Sequence, residues 1–287
     1  MSLKELLNIY ATGIIKGALT ARASSIAFSF FLALFPFSLF LLTLIPYVPI
    51  DGFQEDFISL IFSAVPSQSA KLAISSVLND IATNKYGELV SFGFLMAIFL
   101  MTNGVNAILN SFEYTFHGIE TRTVVRQYIV SLLITLLLAF LLIITVTVIV
   151  ILEVIINKLD FNGLIQNVHF WNRFVQVVLL ILFVIISLSL LFYYGTKEGR
   201  KLSFFSPGTI LTTILLIINF KIFGSYIEKF GVYNRIYGSI GTVIVIMLFI
   251  YLNSIVLLLG FELNTSISKF HNRRIKKDQK KSRKLTI

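Results

Sequence analysis

Apolar residues in this chain are gathered into six long runs, which shorter polar segments separate. The runs lie at about positions 26–46, 89–109, 128–152, 175–194, 208–227 and 240–263. A helix of about 20 apolar residues crosses the roughly 30 Å hydrocarbon core of a bilayer with its backbone groups hydrogen-bonded internally. The runs are continuous rather than alternating, which disfavours a β-barrel. The pattern predicts an all-α polytopic membrane protein with six transmembrane helices.

Two segments outside these runs have a helical period of their own. In residues 3–18, apolar positions recur on one face, which is typical of an amphipathic helix on the membrane surface. In the long first outer loop, 47–88, the spacing predicts two short amphipathic helices with Pro66 between them. We therefore predict one six-helix transmembrane domain, 1–268, followed by a basic tail, 269–287.

The composition agrees with a membrane protein and excludes other classes. Of the 287 residues, 56% are hydrophobic and 13% are charged, whereas soluble domains carry about 25% charged residues. The length allows one compact membrane domain. No cysteine is present, so disulfides and thiolate metal sites are excluded.

Lysine and arginine are distributed unevenly between the two sides of the predicted bundle. With the N-terminus in the cytoplasm, seventeen of the 24 basic residues fall on the cytoplasmic side and six fall outside. This distribution follows the positive-inside rule. We predict an N-in, C-in multi-pass protein of the bacterial cytoplasmic (inner) membrane.

The C-terminal tail, 269–287, holds nine basic residues and one acid. Such a run could neutralise the phosphates of a nucleic acid. Its place directly after a membrane span favours contact with anionic lipid headgroups instead, at about 1 kcal/mol per basic residue. We expect a disordered tail close to anionic lipid, and no nucleic-acid partner.

The sequence offers little that resembles an enzyme active site. Its three histidines are far apart, and it contains no HExxH, CxxC or Walker-type loop. The acids are scattered singly apart from Glu55 and Asp56, so no carboxylate cluster for a two-metal site is predicted. We expect no catalytic residues, no bound metal and no cofactor, and predict that the protein is not an enzyme.

Three asparagines and a glutamate follow one face of the second apolar run. Asn103, Asn106, Asn110 and Glu113 are spaced i, i+3, i+7 and i+10, within roughly 80° of one helical face. Polar groups inside a span cost free energy and need partners. One interpretation is hydrogen bonding between helices, at about 0.6 kcal/mol per contact. The other is a polar cavity or pathway in which the asparagines bind substrate.

Two further features of the apolar runs predict a specific geometry. Pro36 removes a backbone donor from the first span and clashes with a preceding carbonyl group, so we expect a helix kink there. Glu262 lies at the cytoplasmic edge of the last span, where Arg22 or Arg126 could pair with it. We favour a structural ion pair between Glu262 and Arg22 over a proton-coupling carboxylate.

A polar, glycine-rich stretch, YNRIYGSIG at 233–241, separates the last two apolar runs. Its glycines permit a tight turn at the outer face, and Tyr233 and Tyr237 suit an aromatic anchor at the membrane interface. We interpret the stretch first as an anchored turn. The alternative is a lipid headgroup site, in which Arg235 pairs with a phosphate and the two tyrosines wall it.

Several stretches carry motifs that go beyond hydrophobicity. They are ARASSIAFSFFLALFPFSLFLL, GVNAILNSFEYTF, YYGTKEGRKLSFFSPGTILTT and YNRIYGSIGTVIVIMLFIYLNSIVLLLGFELN. In order and spacing they resemble the YihY / virulence factor BrkB family of bacterial inner-membrane proteins, over most of the chain. The resemblance implies a six-helix fold in the cytoplasmic membrane.

The functions associated with that family are varied. Its members are often labelled ribonuclease BN, a label generally thought mistaken, and others are linked to resistance to host serum or to movement of lipids and lipopolysaccharide precursors. We expect a transporter or permease-like protein for a lipid or an envelope precursor. The alternative is a structural or assembly partner of envelope proteins, which would bind a periplasmic protein through the loop 47–88. A ribonuclease is disfavoured, because the sequence shows no nuclease-like constellation.

Overall fold

The computed structural model describes residues 3–44, 87–115, 121–161, 167–197, 199, 203–229 and 231–285. Its helices are α1 Leu3–Lys16, α2 Leu19–Leu44, α3 Gly87–Glu113, α4 Val124–Phe161, α5 Val168–Gly195, α6 Pro207–Lys229 and α7 Gly231–Leu285. Six of these helices, α2 to α7, are long and apolar enough to cross a membrane. The predicted all-α fold with six membrane-spanning helices is confirmed.

Some topological predictions fall beyond what the structure describes. Nearly all of the loop 47–88 lies outside the described residues, so its amphipathic helices and its envelope partner stay predictions. The N-in, C-in orientation also stays a prediction. Pro36 does lie inside α2, which continues to Leu44, and the kink at this proline remains an expectation.

The predicted N-terminal helix is present as α1, and a sharp break separates it from α2. Ala18 has a φ of 45°, in the left-handed region that residues other than glycine rarely adopt. A Cβ atom on the preceding Gly17 would overlap the carbonyl oxygen of Gly13. The break turns α1 onto the side of α7, where the Tyr10 hydroxyl donates to the Leu259 carbonyl at 3.2 Å.

Local sequence explains where two of the spans begin. Ser206 caps α6, since its hydroxyl accepts from the Thr209 amide at 3.3 Å, and Pro207 follows at the first helical position, which needs no amide donor. Asn167 caps α5 by accepting from the Phe170 amide at 3.3 Å. These two caps mark where α5 and α6 begin, at opposite ends of the bundle.

The helix α3 lies at the centre of the bundle. Of the residues in the most apolar part of this span, 44% are buried, whereas the share is 17% in α4 and in α5. The helix α2 packs along α3. The core is aromatic at this point, because Phe112 stacks on Phe261 of α7 with ring centroids 4.0 Å apart. Phe192 of α5 completes the cluster, 5.7 Å from Phe112. The end of the bundle that contains this cluster, where α2, α4 and α6 begin, is called the proximal end; it is the predicted cytoplasmic end.

The structure corrects the prediction of a disordered tail. The final helix, Gly231–Leu285, is 55 residues long and includes almost all of the segment 269–287. Helix nucleation is the costly step, and a span that is already helical removes that cost for the residues that follow it. The tail is also rich in lysine and arginine, which are good helix formers, and contains no glycine or proline. A high charge was therefore an insufficient reason to predict disorder.

The structure also corrects the predicted turn at 233–241. The helix α6 ends at Lys229 and α7 begins at Gly231, so this stretch forms the first turns of α7. Glycine permits a turn but does not require one, and in a helix it costs only about 0.5–1 kcal/mol relative to alanine. The stretch 233–241 is therefore helical rather than a turn.

Candidate functional site

A buried ion pair joins α2 to α7 at the proximal end. Arg22 Nη2 donates to Glu262 Oε1 at 2.5 Å, and the side chains are 7% and 0% exposed. The structure thus brings together the two residues that the sequence analysis paired. Arg126, the alternative partner, is exposed at the start of α4. The Glu262 carboxylate can be fully buried at the proximal end because Arg22 matches its charge there.

The ion pair is held by hydrogen bonds from the end of α3 and from the segment that follows it. Arg22 Nη1 donates to the Ser111 carbonyl at 2.8 Å, and the Thr115 hydroxyl lies 2.9 and 3.0 Å from the two oxygens of Glu262. Arg22 Nε is buried and has no hydrogen-bond partner. Close to this group, burial raises the pKa of the Tyr10 hydroxyl, and the charge of Glu262 raises that pKa further.

A second arginine ties α4 to α5 at the same end. Arg122 Nη1 and Nη2 donate to the carbonyls of Gly195 and Tyr194 at 2.8 and 2.9 Å. These are carbonyls of the last turn of α5, which lack partners within the helix and favour a nearby cation. The Arg122 amide also donates to the carboxylate of Glu113, at 3.2 Å from Oε2. The proximal ends of α3, α4 and α5 are thereby joined.

The helices α6 and α7 cross at two glycines of this end. A Cβ atom on Gly208 would overlap the Gly260 carbonyl oxygen, so the two backbones approach closely, as small residues allow in membranes. Asn264 fixes the crossing: its Oδ1 accepts from the Gly208 amide at 2.8 Å, and its Nδ2 donates to the Ser206 hydroxyl at 2.7 Å.

The asparagine stripe of α3 faces α4 over two of its members. Asn106 Oδ1 accepts from the Ser131 hydroxyl at 3.2 Å, and Asn110 Oδ1 accepts from Gln127 Nε2 at 2.8 Å. A 180° rotation of the Gln127 amide would instead let it donate to Glu113, whose Oε2 lies 3.2 Å away. Both contacts fit the helix-to-helix interpretation of the stripe.

An apolar groove lies between α2 and α4, with α3 as its floor, and is called the first groove. Its volume is about 260 Å³, and its walls include Ala33 and Leu34 of α2 and Ala139 and Leu142 of α4. Apart from Thr135, the lining side chains are apolar. The side chains of Leu34 and Leu142 are 37% and 41% exposed, so the rim of the groove faces the surroundings of the bundle.

A second groove lies on the other side of α2, between α2 and α6, and α7 is its floor. Its volume is about 190 Å³, and Ile26, Ile108 and Leu216 are among its lining residues. Asn253 also lines it, but its amide is already engaged: it accepts from Asn219 at 3.1 Å and donates to the Phe249 carbonyl at 2.8 Å. The Phe30 ring borders both grooves, next to Gly104, where a Cβ atom would lie 3.3 Å from that ring.

The predicted substrate-binding residues are not part of either groove. Asn103, Asn106 and Asn110 are absent from both linings. Tyr233, Arg235 and Tyr237 belong to the opposite end of α7, and the structure describes only their backbone. By helical spacing, position 235 lies about 160° around the helix from position 233, so the three positions do not share one face. Their headgroup role stays a prediction.

Two contributors to this region were not found from the sequence. Thr115, which holds Glu262, follows the end of α3, where no periodic pattern distinguishes it. Phe30 is one of 28 phenylalanines, and only the packing of α2 against α3 and α7 shows that it borders two grooves. Both depend on contacts between helices that are distant in sequence.

The family of the chain follows from comparison with known proteins. The family model described as "Virulence factor BrkB" matches residues 12–285. The chain belongs to the BrkB family. Among BrkB relatives, the ribonuclease-like protein YfkH of Bacillus subtilis is 32% identical over 255 residues, which cover 87% of this chain and 90% of that protein.

Other relatives match over shorter segments. A UPF0761 membrane protein of Xanthomonas campestris (strain B100) is 33% identical over 85 residues, 30% of this chain and 20% of that protein. A UPF0761 membrane protein of Pseudoalteromonas translucida is 36% identical over 77 residues, 26% of each chain. No solved structure matches. The BrkB chain is a multi-pass membrane protein, in agreement with the predicted resemblance and location.

Proposed function

We propose that this protein is a lipid permease that binds the hydrocarbon chain of a membrane lipid in the first groove. The observation that carries the proposal is the apolar lining of this groove in the middle of the spans, between helices that both pack on α3. Its rim residues Leu34 and Leu142 are exposed. In a bilayer, the material next to them is lipid hydrocarbon.

The dimensions of the first groove fit a chain better than a compact soluble ligand. Pockets for small molecules usually have volumes of about 300–1,000 Å³ and surround most of the ligand, whereas this groove has about 260 Å³. An extended hydrocarbon chain can lie along the helices while the remainder of the lipid stays in the bilayer. The α2 wall also contains Pro36 close to the lining residue Phe37, where a proline weakens the helix.

Other activities find less support in the described part of the chain. Within those residues, no group of three or more His, Cys, Asp or Glu side chains could hold a metal ion. The ribonuclease-like name of YfkH is a property of that protein, and no described cluster here resembles a hydrolytic site. An assembly role through the loop 47–88 would use residues outside the described ranges.

The test combines chain cross-linking with lipid movement. Purified protein is reconstituted with a phospholipid that carries a photoreactive group in its acyl chain, and the labelled peptides are mapped. Label is expected at α2 and α4 residues of the first groove. In matched vesicles, the protein should accelerate the movement of a fluorescent phospholipid between leaflets, measured by reduction of the outer leaflet with dithionite.

Two substitutions on α4 separate the groove from the outer surface of the helix. Ala139→Phe places a ring in the groove, because Ala139 is one of its lining residues; cross-linking and lipid movement should both decrease. Ile143→Phe is the control, since Ile143 is 62% exposed and does not line the groove. Equal activity of Ala139→Phe and wild type, or acyl label that avoids the groove, would contradict the proposal.

A further inference from the structure

We infer that the second groove and Arg22 form a binding site for a phosphate-bearing lipid, with the chain in the groove and the phosphate on the guanidinium group. Glu262 holds the guanidinium in place. This inference rests on the proposed lipid function and names the class of lipid. It uses a different groove and a charged residue, so it can fail independently of the first groove.

Arg22 lies directly beyond the proximal end of the second groove. Ile26 lines the groove, and Arg22 is four residues earlier on the same helix face, about 6 Å along the axis. On α3, Ile108 lines the groove, and Ser111, whose carbonyl accepts from Arg22, lies about one turn later. A chain in the groove therefore points its polar end towards Arg22.

The guanidinium group of Arg22 has donor capacity that the protein does not use. Of its five N–H donors, one on Nη2 binds Glu262 and one on Nη1 binds the Ser111 carbonyl. The Nε donor is buried and has no partner. The contact with Glu262 joins a single nitrogen and a single oxygen, whereas phosphate oxygens can accept from two guanidinium nitrogens at once. A phosphate can thus accept from the idle Nε donor and from a second guanidinium N–H while Nη2 stays on Glu262.

The surroundings favour a lipid anion over a neutral ligand. The site is at the end of an apolar groove, so the polar end of its ligand reaches a buried cation that has unused donors. A neutral headgroup would offer these donors only an uncharged acceptor. A phosphate offers them a charged acceptor, and Glu262 keeps both Arg22 and the Thr115 hydroxyl, which lies 2.9 Å from its Oε1.

The test compares two lipids that differ only in the phosphate. Phosphatidate and diacylglycerol with identical acyl chains are added to the full-length protein in detergent, and bound lipid is measured by native mass spectrometry. Wild type should prefer phosphatidate by about tenfold, as a charge-assisted hydrogen bond provides. Arg22→Gln should lose the preference, and Glu262→Gln should increase phosphatidate binding. Arg126→Gln, which removes an exposed arginine of the same end, should keep it.

A second variant protects the test against simple misfolding. Arg22→Gln leaves Glu262 buried and unpaired, whereas the double variant Arg22→Gln/Glu262→Gln removes both charges together. The double variant should also lose the preference for phosphatidate. Equal binding of the two lipids by wild type, or a preference that survives in the double variant, would overturn the inference.

Two further outcomes separate the possible sources of the phosphate and the two proposals. If inorganic phosphate displaces phosphatidate at equal concentration, the site takes a free anion and the lipid inference is wrong. If the phosphatidate preference is absent while acyl label still maps to the first groove, the phosphate-lipid site is wrong and the proposed permease function stands. If no acyl label reaches either groove, both the phosphate-lipid site and the proposed permease function are wrong.

Discussion

At the proximal end, the helices are joined by charged and polar side chains, whereas in the middle of the bundle the neighbours of α2 leave apolar grooves. Arg22 and Glu262 bond α2 to α7 there, and Arg122 bonds the start of α4 to the end of α5. Farther along α2, Phe30 borders an apolar groove on each side. The bundle is thus held together by polar contacts at its proximal end and has unfilled volume beside α2 in its middle.

The two regions differ because membranes penalise polar groups and tolerate apolar gaps. An unpaired charge inside the bundle is costly, so each charged group of the proximal end constrains the position of its partner helix. Apolar grooves carry no such constraint, since lipid chains are as apolar as the side chains that line them. Substitutions should therefore have large effects on stability at the proximal end and small effects in the middle.

The largest effect is expected from Glu262→Ala. Removing the carboxylate leaves the Arg22 cation buried without its partner, which should destabilise the protein by about 3–5 kcal/mol. The measurements are membrane abundance and the midpoint of thermal unfolding in detergent. Arg22→Leu/Glu262→Leu removes both charges and should recover most of the lost stability. A single variant as stable as wild type would show that the ion pair does not hold this end together.

The next effect concerns the glycine crossing of α6 and α7. In Gly260→Ala the new methyl group would overlap Thr212 Oγ1 and lie 2.7 Å from the Gly208 carbonyl oxygen. Separating the helices to relieve this contact should cost about 1–3 kcal/mol. Gly224→Ala on α6 is the control, because no atom lies within 4 Å of the added Cβ; its unfolding midpoint should equal or exceed that of wild type.

The sequence was informative where a residue type restricts the possible solutions. Long apolar runs permit only spanning helices, so the six spans were predictable within several residues. Glu262 and Arg22 were predictable as a pair, because a charge at the end of a span needs a partner and few cations were available. The same reasoning identified the asparagine stripe, although periodicity could not distinguish a helix contact from a pathway.

The remainder depended on which helices become neighbours. The grooves exist because α2 and α4 share α3, and α2 and α6 share α7, and hydrophobic periodicity does not contain that information. The stretch 233–241 and the tail 269–287 were wrongly assigned from composition, since glycine and charge are both compatible with a helix that extends an existing span.

The middle of the bundle should respond weakly to loss of a polar contact. In Asn106→Leu the hydrogen bond from Ser131 is lost, but the single Ser131 hydroxyl proton can be donated to the Gln127 carbonyl, which lies 2.9 Å away. We expect a destabilisation of about 0.6 kcal/mol and unchanged acyl-chain cross-linking, because Asn106 does not line a groove. Loss of cross-linking in a stably folded Asn106→Leu protein would return the stripe to the pathway interpretation.

The smallest effect is expected at the entry to the proximal end, where α1 joins α2. Ala18 has a φ of 45°, and this conformation costs a residue with a Cβ atom about 1–2 kcal/mol. Glycine removes that cost but gains freedom in the unfolded chain, worth about 0.4–1 kcal/mol. Ala18→Gly should therefore stabilise the protein by only about 0.5 kcal/mol, the difference between these two terms.

The control Ala11→Gly, at an exposed position inside α1, should destabilise it by about 1 kcal/mol. Parallel unfolding midpoints measure both variants, and a lower midpoint for Ala18→Gly would show that the break between the helices is held by contacts rather than limited by backbone strain.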